Sequence, residues 1–119
     1  MRLLHESADG AVRPLATEVE FADSLFTQAL GLMFRRSVPD DYALVFRFSR
    51  PAKRGLHMLF VPFPIDAVWI VDGEVTRTAR LRSWVGWARG RADMIIELPA
   101  GGADGVTVGD RVFVESSNE

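Results

Sequence analysis

Asp66 is the single carboxylate in the most apolar stretch of this chain, which runs from His57 to Val71. Burying an unpaired charge costs on the order of several kcal/mol, so this acid must be hydrogen-bonded and structural or chemically active. An active Asp66 would serve as general acid or base just after the Pro62-Phe63-Pro64 bend, with His57 as its natural partner. A structural Asp66 would accept backbone N–H groups at that bend. No nucleophile stands near it in sequence, and the apolar flanks favour the structural role.

Other candidate chemistry is sparser. His57 and His5 are the only histidines, and no acidic ligands stand beside them at metal spacing, so no metal site is assigned. The absence of cysteine removes disulfides, thiol catalysis and thiolate metal ligands. The glycines at 101, 102, 105 and 109 lack the Gly-Lys-Ser/Thr ending of a phosphate loop, and no serine sits in a Gly-x-Ser-x-Gly elbow. The stretch Arg77–Arg91 carries five arginines, two tryptophans and no acid, a mixture able to hold phosphates while stacking bases. Arg80, Arg82, Trp84, Trp87 and Arg89 are its candidate contacts to a partner or nucleic acid. Its alternative reading is a strand and loop with solvated arginines and tryptophans folded onto the core.

Charge supports a local patch and not a general affinity for nucleic acid. Residues 35–91 hold eleven basic and five acidic side chains, the flanks three and eleven, and the net charge is -2 with a pI near 5.7. At 119 residues, with 48% hydrophobic and 25% charged side chains, the chain reads as one globular domain spanning 1–119. Arg2, His5, Glu6 and Asp9 interrupt any signal-peptide core, and Pro62, Pro64 and Asp66 break the longest apolar run. A soluble, cytoplasmic protein without membrane contact is expected.

These side chains must be carried by short elements. Asp9-Gly10 and Asp72-Gly73 each sit between apolar segments and predict two hairpins. Pro14 marks an edge position or a strand start, because it cannot donate to a ladder. Asp23 or Ser24 can cap a helix running to about Phe34, with Phe26, Ala29, Leu30 and Met33 on its buried face. Gly31 within it implies close packing or a helix end. Strands are expected at Tyr42–Phe48, Leu56–Phe60, Ala67–Val71 (buried on both faces), Glu74–Leu81, Met94–Leu98 and Arg111–Glu115. Arg50–Gly55 reads as a polar loop, Pro99–Gly109 as a loop or one short helical turn, and Ser116–Glu119 as a frayed end. The fold class is mainly β (α+β): a small barrel-like or rolled antiparallel or mixed sheet with one packed helix.

Four features taken in order resemble one family. They are Gly31-Leu32-Met33-Phe34-Arg35 with the apolar strand around Val45 and Phe46; Met58 and Pro64-Ile65-Asp66 with the following strand and its Asp72-Gly73 turn; Glu97-Leu98-Pro99-Ala100-Gly101; and Gly109-Asp110-Arg111-Val112. Their spacing is similar to that of the uncharacterised bacterial and archaeal family DUF192, over roughly 17–114. The resemblance implies a compact, mainly β domain with a helix and no established activity. Many members carry Trp-Met-Lys-Asn-Thr where this chain has His57-Met58-Leu59-Phe60-Val61, so the lysine, asparagine and threonine are lost here. Arg35, Asp66, Glu97 and Asp110 match, and the set resembles an internal ion-pair framework.

The sequence therefore points to a non-enzymatic binding or accessory domain for a small molecule or protein partner. Its candidate ligand-binding residues are Arg35, His57 and Asp66; no catalytic residue and no cofactor is assigned. Two alternatives stand beside it: an enzyme using His57 and Asp66 as an acid/base pair, or an RNA- or single-strand-binding module acting through Arg77–Arg91.

Overall fold

A computed structural model describes residues 1–22 and 31–116. Eight strands form one mixed sheet: β1 (Arg2–Glu6), β2 (Val12–Ala16), β3 (Glu18–Phe21), β4 (Tyr42–His57), β5 (Ile65–Val71), β6 (Glu74–Leu81), β7 (Trp87–Pro99) and β8 (Arg111–Glu115). Their spatial order is β2-β1-β8-β6-β5-β7-β4-β3, antiparallel throughout except for the parallel β3–β4 pair. The sheet is open, with β2 and β3 as its edges, and does not close into a barrel.

Alternation along the central strands builds two cores. Tyr42, Leu44 and Phe46 of β4, Ile65, Ala67 and Trp69 of β5, and Ile95 of β7 share one cluster with Met58 and Val61. The intervening Ala43, Val45, Val68, Ile70, Ile96 and Leu98 share another with Leu3, Val112, Ala103 and Val106. Side chains two apart on a strand share a face, so the central strands are buried on both sides. The terminal strands contribute to the second core because the sheet rolls over its own face.

The Asp-Gly turns form where local chemistry places them. Asp72 and Gly73 both take positive φ (51° and 81°) between the paired Val71 and Glu74, the backbone of a tight two-residue hairpin. Asp9-Gly10 lies in a longer connection, Ser7–Ala11, where the Asp9 carboxylate accepts from Ser7 Oγ and the Ala11 N–H. Pro14 sits within edge strand β2.

Three expectations are corrected, the first being the Leu56–Phe60 strand: β4 ends at His57, and Leu59 and Phe60 lie in a turn. The described residues contain no helix, so the packed helix is unsupported. Most of its span, residues 23–30, lies outside the described residues, and Gly31–Phe34 form a turn. Gly31 and Phe34 have φ of +50° and +69°, which a right-handed helix cannot contain. Arg50–Gly55 belongs to β4 instead of a loop, since Ala52–His57 pairs with Trp87–Ala92. Residues 48–51 bulge out between paired positions, so Pro51 interrupts no ladder bond.

That ribbon covers Trp69, which is fully buried and donates its indole N–H to the Arg54 carbonyl at 3.0 Å. Gly90 makes the approach possible: a Cβ there would stand 2.8 Å from Trp69 Cγ. Gly90→Ala is expected to cost about 2 kcal/mol through overpacking. Thermal unfolding checks it, and an unchanged midpoint would show the ribbon yielding freely.

Candidate functional site

The cross-strand register decides the surroundings of each acid. Asp66 lies opposite Arg80 on β6, on the face of Val68 and Ile70. Arg80 donates from Nε (2.8 Å) and Nη2 (3.3 Å) to its two oxygens, and the Gly101 and Ala103 N–H groups each donate at 3.0 Å. Asp66 thereby ties the 99–109 loop to the sheet, and Arg80 extends the network to Asp104 at 2.9 Å. Asp110 is equally committed: His5 Nε2 lies 2.7 Å away in a buried pair, and Thr107 N–H donates at 3.0 Å. The His5 bond, with the Thr107 N–H, holds the Asp110 carboxyl below the usual carboxylate range.

Glu97 differs. It lies opposite Leu44 of β4 and Ala67 of β5, with no basic side chain at either position. Only 5% of the residue is exposed, Oε1 is sealed from solvent, and that oxygen has no hydrogen-bond partner. Burial pushes the carboxyl up to about 7, against a smaller downward pull from the Arg35 charge. Glu97 lines a cavity of about 170 Å³ with Gly31, Met33, Phe46, His57 and Met58. Gly31 closes over it in the left-handed conformation, and a Cβ there would lie 3.8 Å from Oε1.

The other proposed ligand contacts divide. His57 lines the Glu97 cavity; its Nδ1 accepts the Leu59 N–H at 3.2 Å, so the neutral ring carries its proton on Nε2. Arg35 lines an adjoining hollow that shares Gly31 and Met33 with the first. Its Nη1 donates to Tyr42 Oη (3.0 Å) and to Glu20 Oε1 (3.2 Å). Asp66 lines a hollow on the opposite face, and no bond joins it to His57. Sequence reasoning placed Glu97 in an ion-pair framework and missed it as a site residue. The available signal was a lone acid in Met94-Ile95-Ile96-Glu97-Leu98, the same kind of observation that singled out Asp66.

Three aromatic residues adjoin the cavity wall. Phe34, Phe60 and Trp84 are 67%, 48% and 53% exposed, and each has positive φ (69°, 59° and 67°). Phe34 and Phe60 stack at 4.9 Å, and Trp84 meets Phe60 edge-on at 6.5 Å. The Phe34 N–H donates to the Phe60 carbonyl and the Trp84 N–H to the Val61 carbonyl, pinning three segments together. Bulky residues adopt this backbone at a cost of about 1–2 kcal/mol each, so the packing holds strain here. The segments Gly31–Phe34 and Met58–Val61 supply both the cavity wall and most of the cluster.

In the basic stretch, Arg80 is bound to Asp66 and Asp104, and Arg77 donates to the Arg89 carbonyl at 2.6 Å. Arg82 is exposed, and Arg89 lies over the Trp87 ring at 5.9 Å, with Trp87 itself 66% exposed. Among the described residues no three His, Asp or Glu side chains gather as a metal site, and no helix is long and apolar enough to cross a membrane.

Two solved structures share this architecture. One, from Sinorhizobium meliloti 1021 and described as a "putative transcription regulator", is 25% identical with a TM-score of 0.82, over 94% of this chain and 91% of its own. The other, a protein of unknown function from Novosphingobium aromaticivorans DSM 12444, is 22% identical with a TM-score of 0.81, over 96% of this chain and 84% of its own; at that identity the likeness is one of fold. No curated protein matches the sequence. The profile of the DUF192 family, described as "Uncharacterized ACR", matches residues 5–114, and the chain belongs to that family.

Proposed function

We propose that this protein is a small-ligand-binding module whose site is the cavity over Glu97. The observation that carries the reading is a buried carboxyl, one oxygen of it unpartnered, on a residue that lines a cavity. Buried polar atoms are nearly always bonded, and of the two described exceptions, His5 Nδ1 and Glu97 Oε1, Glu97 is the one on a residue that lines this cavity. His57 offers an Nε2–H donor in the same wall, and Met33, Phe46 and Met58 supply apolar contact. Arg35 acts one layer behind, where Glu20 and Tyr42 hold it. Asp66 serves the architecture in this reading, and acid/base chemistry between Asp66 and His57 has no supporting contact.

A thermal-shift screen over nucleotides, sugars, amines, metals and short RNA tests the proposal. At least one small-molecule class is expected to raise the midpoint in a saturable way, by mass action on the folded state. The shift should vanish in His57→Trp, where the larger ring fills the cavity. A hit unaffected by that substitution would relocate the site. Stabilisation by RNA alone, weakening steeply with salt, would move the function to Arg82, Trp87 and Arg89.

A further inference from the structure

We infer that the Glu97 cavity takes a small organic cation: an amine or alkylammonium head carried on a compact apolar body. The inference rests on the binding reading above and names its ligand class. Two independent features meet at one residue: Glu97 carries a buried acceptor without a partner, and it lines a cavity whose other described walls are mostly apolar.

The charge inventory around the cavity selects the ligand. Among the described residues, Glu97 and His57 are its only ionisable lining groups. Arg35, the nearest cationic influence from the Gly31–Arg35 segment, is already engaged by Glu20 of β3 and by Tyr42 of β4. Neither cross-strand neighbour of Glu97 is charged, and Asp66 of β5 faces the other side of the sheet. An anion entering here would meet a carboxylate in a low-dielectric wall. A neutral donor would satisfy Oε1 and leave the ionised acid without a counter-charge. A cation supplies both the missing hydrogen bond and that counter-charge.

Size agrees. At about 170 Å³ the cavity falls below the usual range for drug-sized ligands, so a short amine, or the amine end of a longer one, fits it. Outside the cavity, the exposed rings of Phe34, Phe60 and Trp84 form a cluster on segments that adjoin its wall. Because the carboxyl titrates near 7, cation binding must release its proton, which ties affinity to pH.

Titration of the whole chain with benzylammonium and butylammonium, against benzyl alcohol, butanol, benzoate and butyrate, tests the inference. The ammonium probes are expected to bind at about pH 8 and to weaken by up to tenfold per pH unit below about 7, the limit for one coupled proton. Glu97→Gln should lose the preference for the cation, while His57→Gln keeps the pH slope whatever its affinity. Alcohols binding as well as or better than ammonium, with affinity rising on acidification, would overturn the cation and leave the binding module standing. A cation response unchanged in Glu97→Gln would overturn the assignment of Glu97. No response to any probe would overturn the cation, and if His57→Trp also abolished no shift in the wider screen, the binding reading would fall separately.

Discussion

Glu97→Gln is expected to make the protein more stable at about pH 8, although it removes a native side chain. The physical reason is the burial of a carboxylate that no described side chain pairs with, the Arg35 charge giving only a smaller compensation. Its carboxyl is raised from 4.5 to about 7, which corresponds to about 3 kcal/mol of folding free energy withheld once the group is ionised. Between those values the folded chain holds more protons than the unfolded one, so stability falls as pH rises through that window. Below 4.5 both states are protonated and the penalty is absent. The amide is never charged, but it brings its own unpartnered polar atoms, which offsets part of the gain. A net stabilisation of about 2 kcal/mol is therefore expected at about pH 8, vanishing by about pH 5. Thermal midpoints across this range provide the check. Asp110 does not confuse it, because a depressed carboxyl contributes stability that is lost only below its ordinary 3.8. A variant less stable than the parent at about pH 8, or a parent that loses stability between 7 and 5, would remove the special status of Glu97. A residue that weakens its own fold is what a binding site commonly contains.

Asp66→Ala is expected to do the opposite at every neutral pH. Asp66 accepts four hydrogen bonds, two from Arg80 and two from the backbone of the 99–109 loop. Arg80 is more than half exposed and can return to solvent, so the ion pair itself contributes modestly. The larger loss lies in the Gly101 and Ala103 N–H groups, at about 1–3 kcal/mol for each buried donor left unpaired. A total near 3 kcal/mol, or roughly 10 °C in the thermal midpoint, follows for a domain of this size. Asp66→Asn keeps one acceptor oxygen and should recover part of the loss. A fully stable alanine variant would show that the loop is anchored by other contacts. Together the two variants separate the acids: one tightens the fold when neutralised, the other loosens it.

Much of the local structure was legible because local chemistry produces it. The Asp72-Gly73 pair dictates a two-residue turn; the strand after it has the expected bounds, Glu74–Leu81, and the one before it starts two residues earlier than expected, at Ile65. The errors fall where distant pairing overrides local appearance. Arg50–Gly55 is polar and proline-containing, yet it continues β4 because Trp87–Ala92 supplies a ladder and the bulge at 48–51 accommodates Pro51. Helical spacing through Met33 suggested a helix to Phe34, where left-handed Gly31 and Phe34 instead shape a turn beside the cavity. The exposure of Trp84 and Trp87 was likewise undecided by sequence, since a tryptophan in a basic loop can fold inward or stand free.

By itself the sequence determined that lone acids sit in apolar strands, and burial then required each to be bonded or to do something. It could not determine which acid would do which. Register decides that, because it sets which side chains stand directly across from each acid and which loops reach it. The pairing of β5 with β6 sets Arg80 against Asp66, whereas the pairing of β7 with β4 and β5 surrounds Glu97 with Leu44 and Ala67. One acid is consumed by the fold and the other is left lining a cavity, a difference that exists only once the strands are laid side by side.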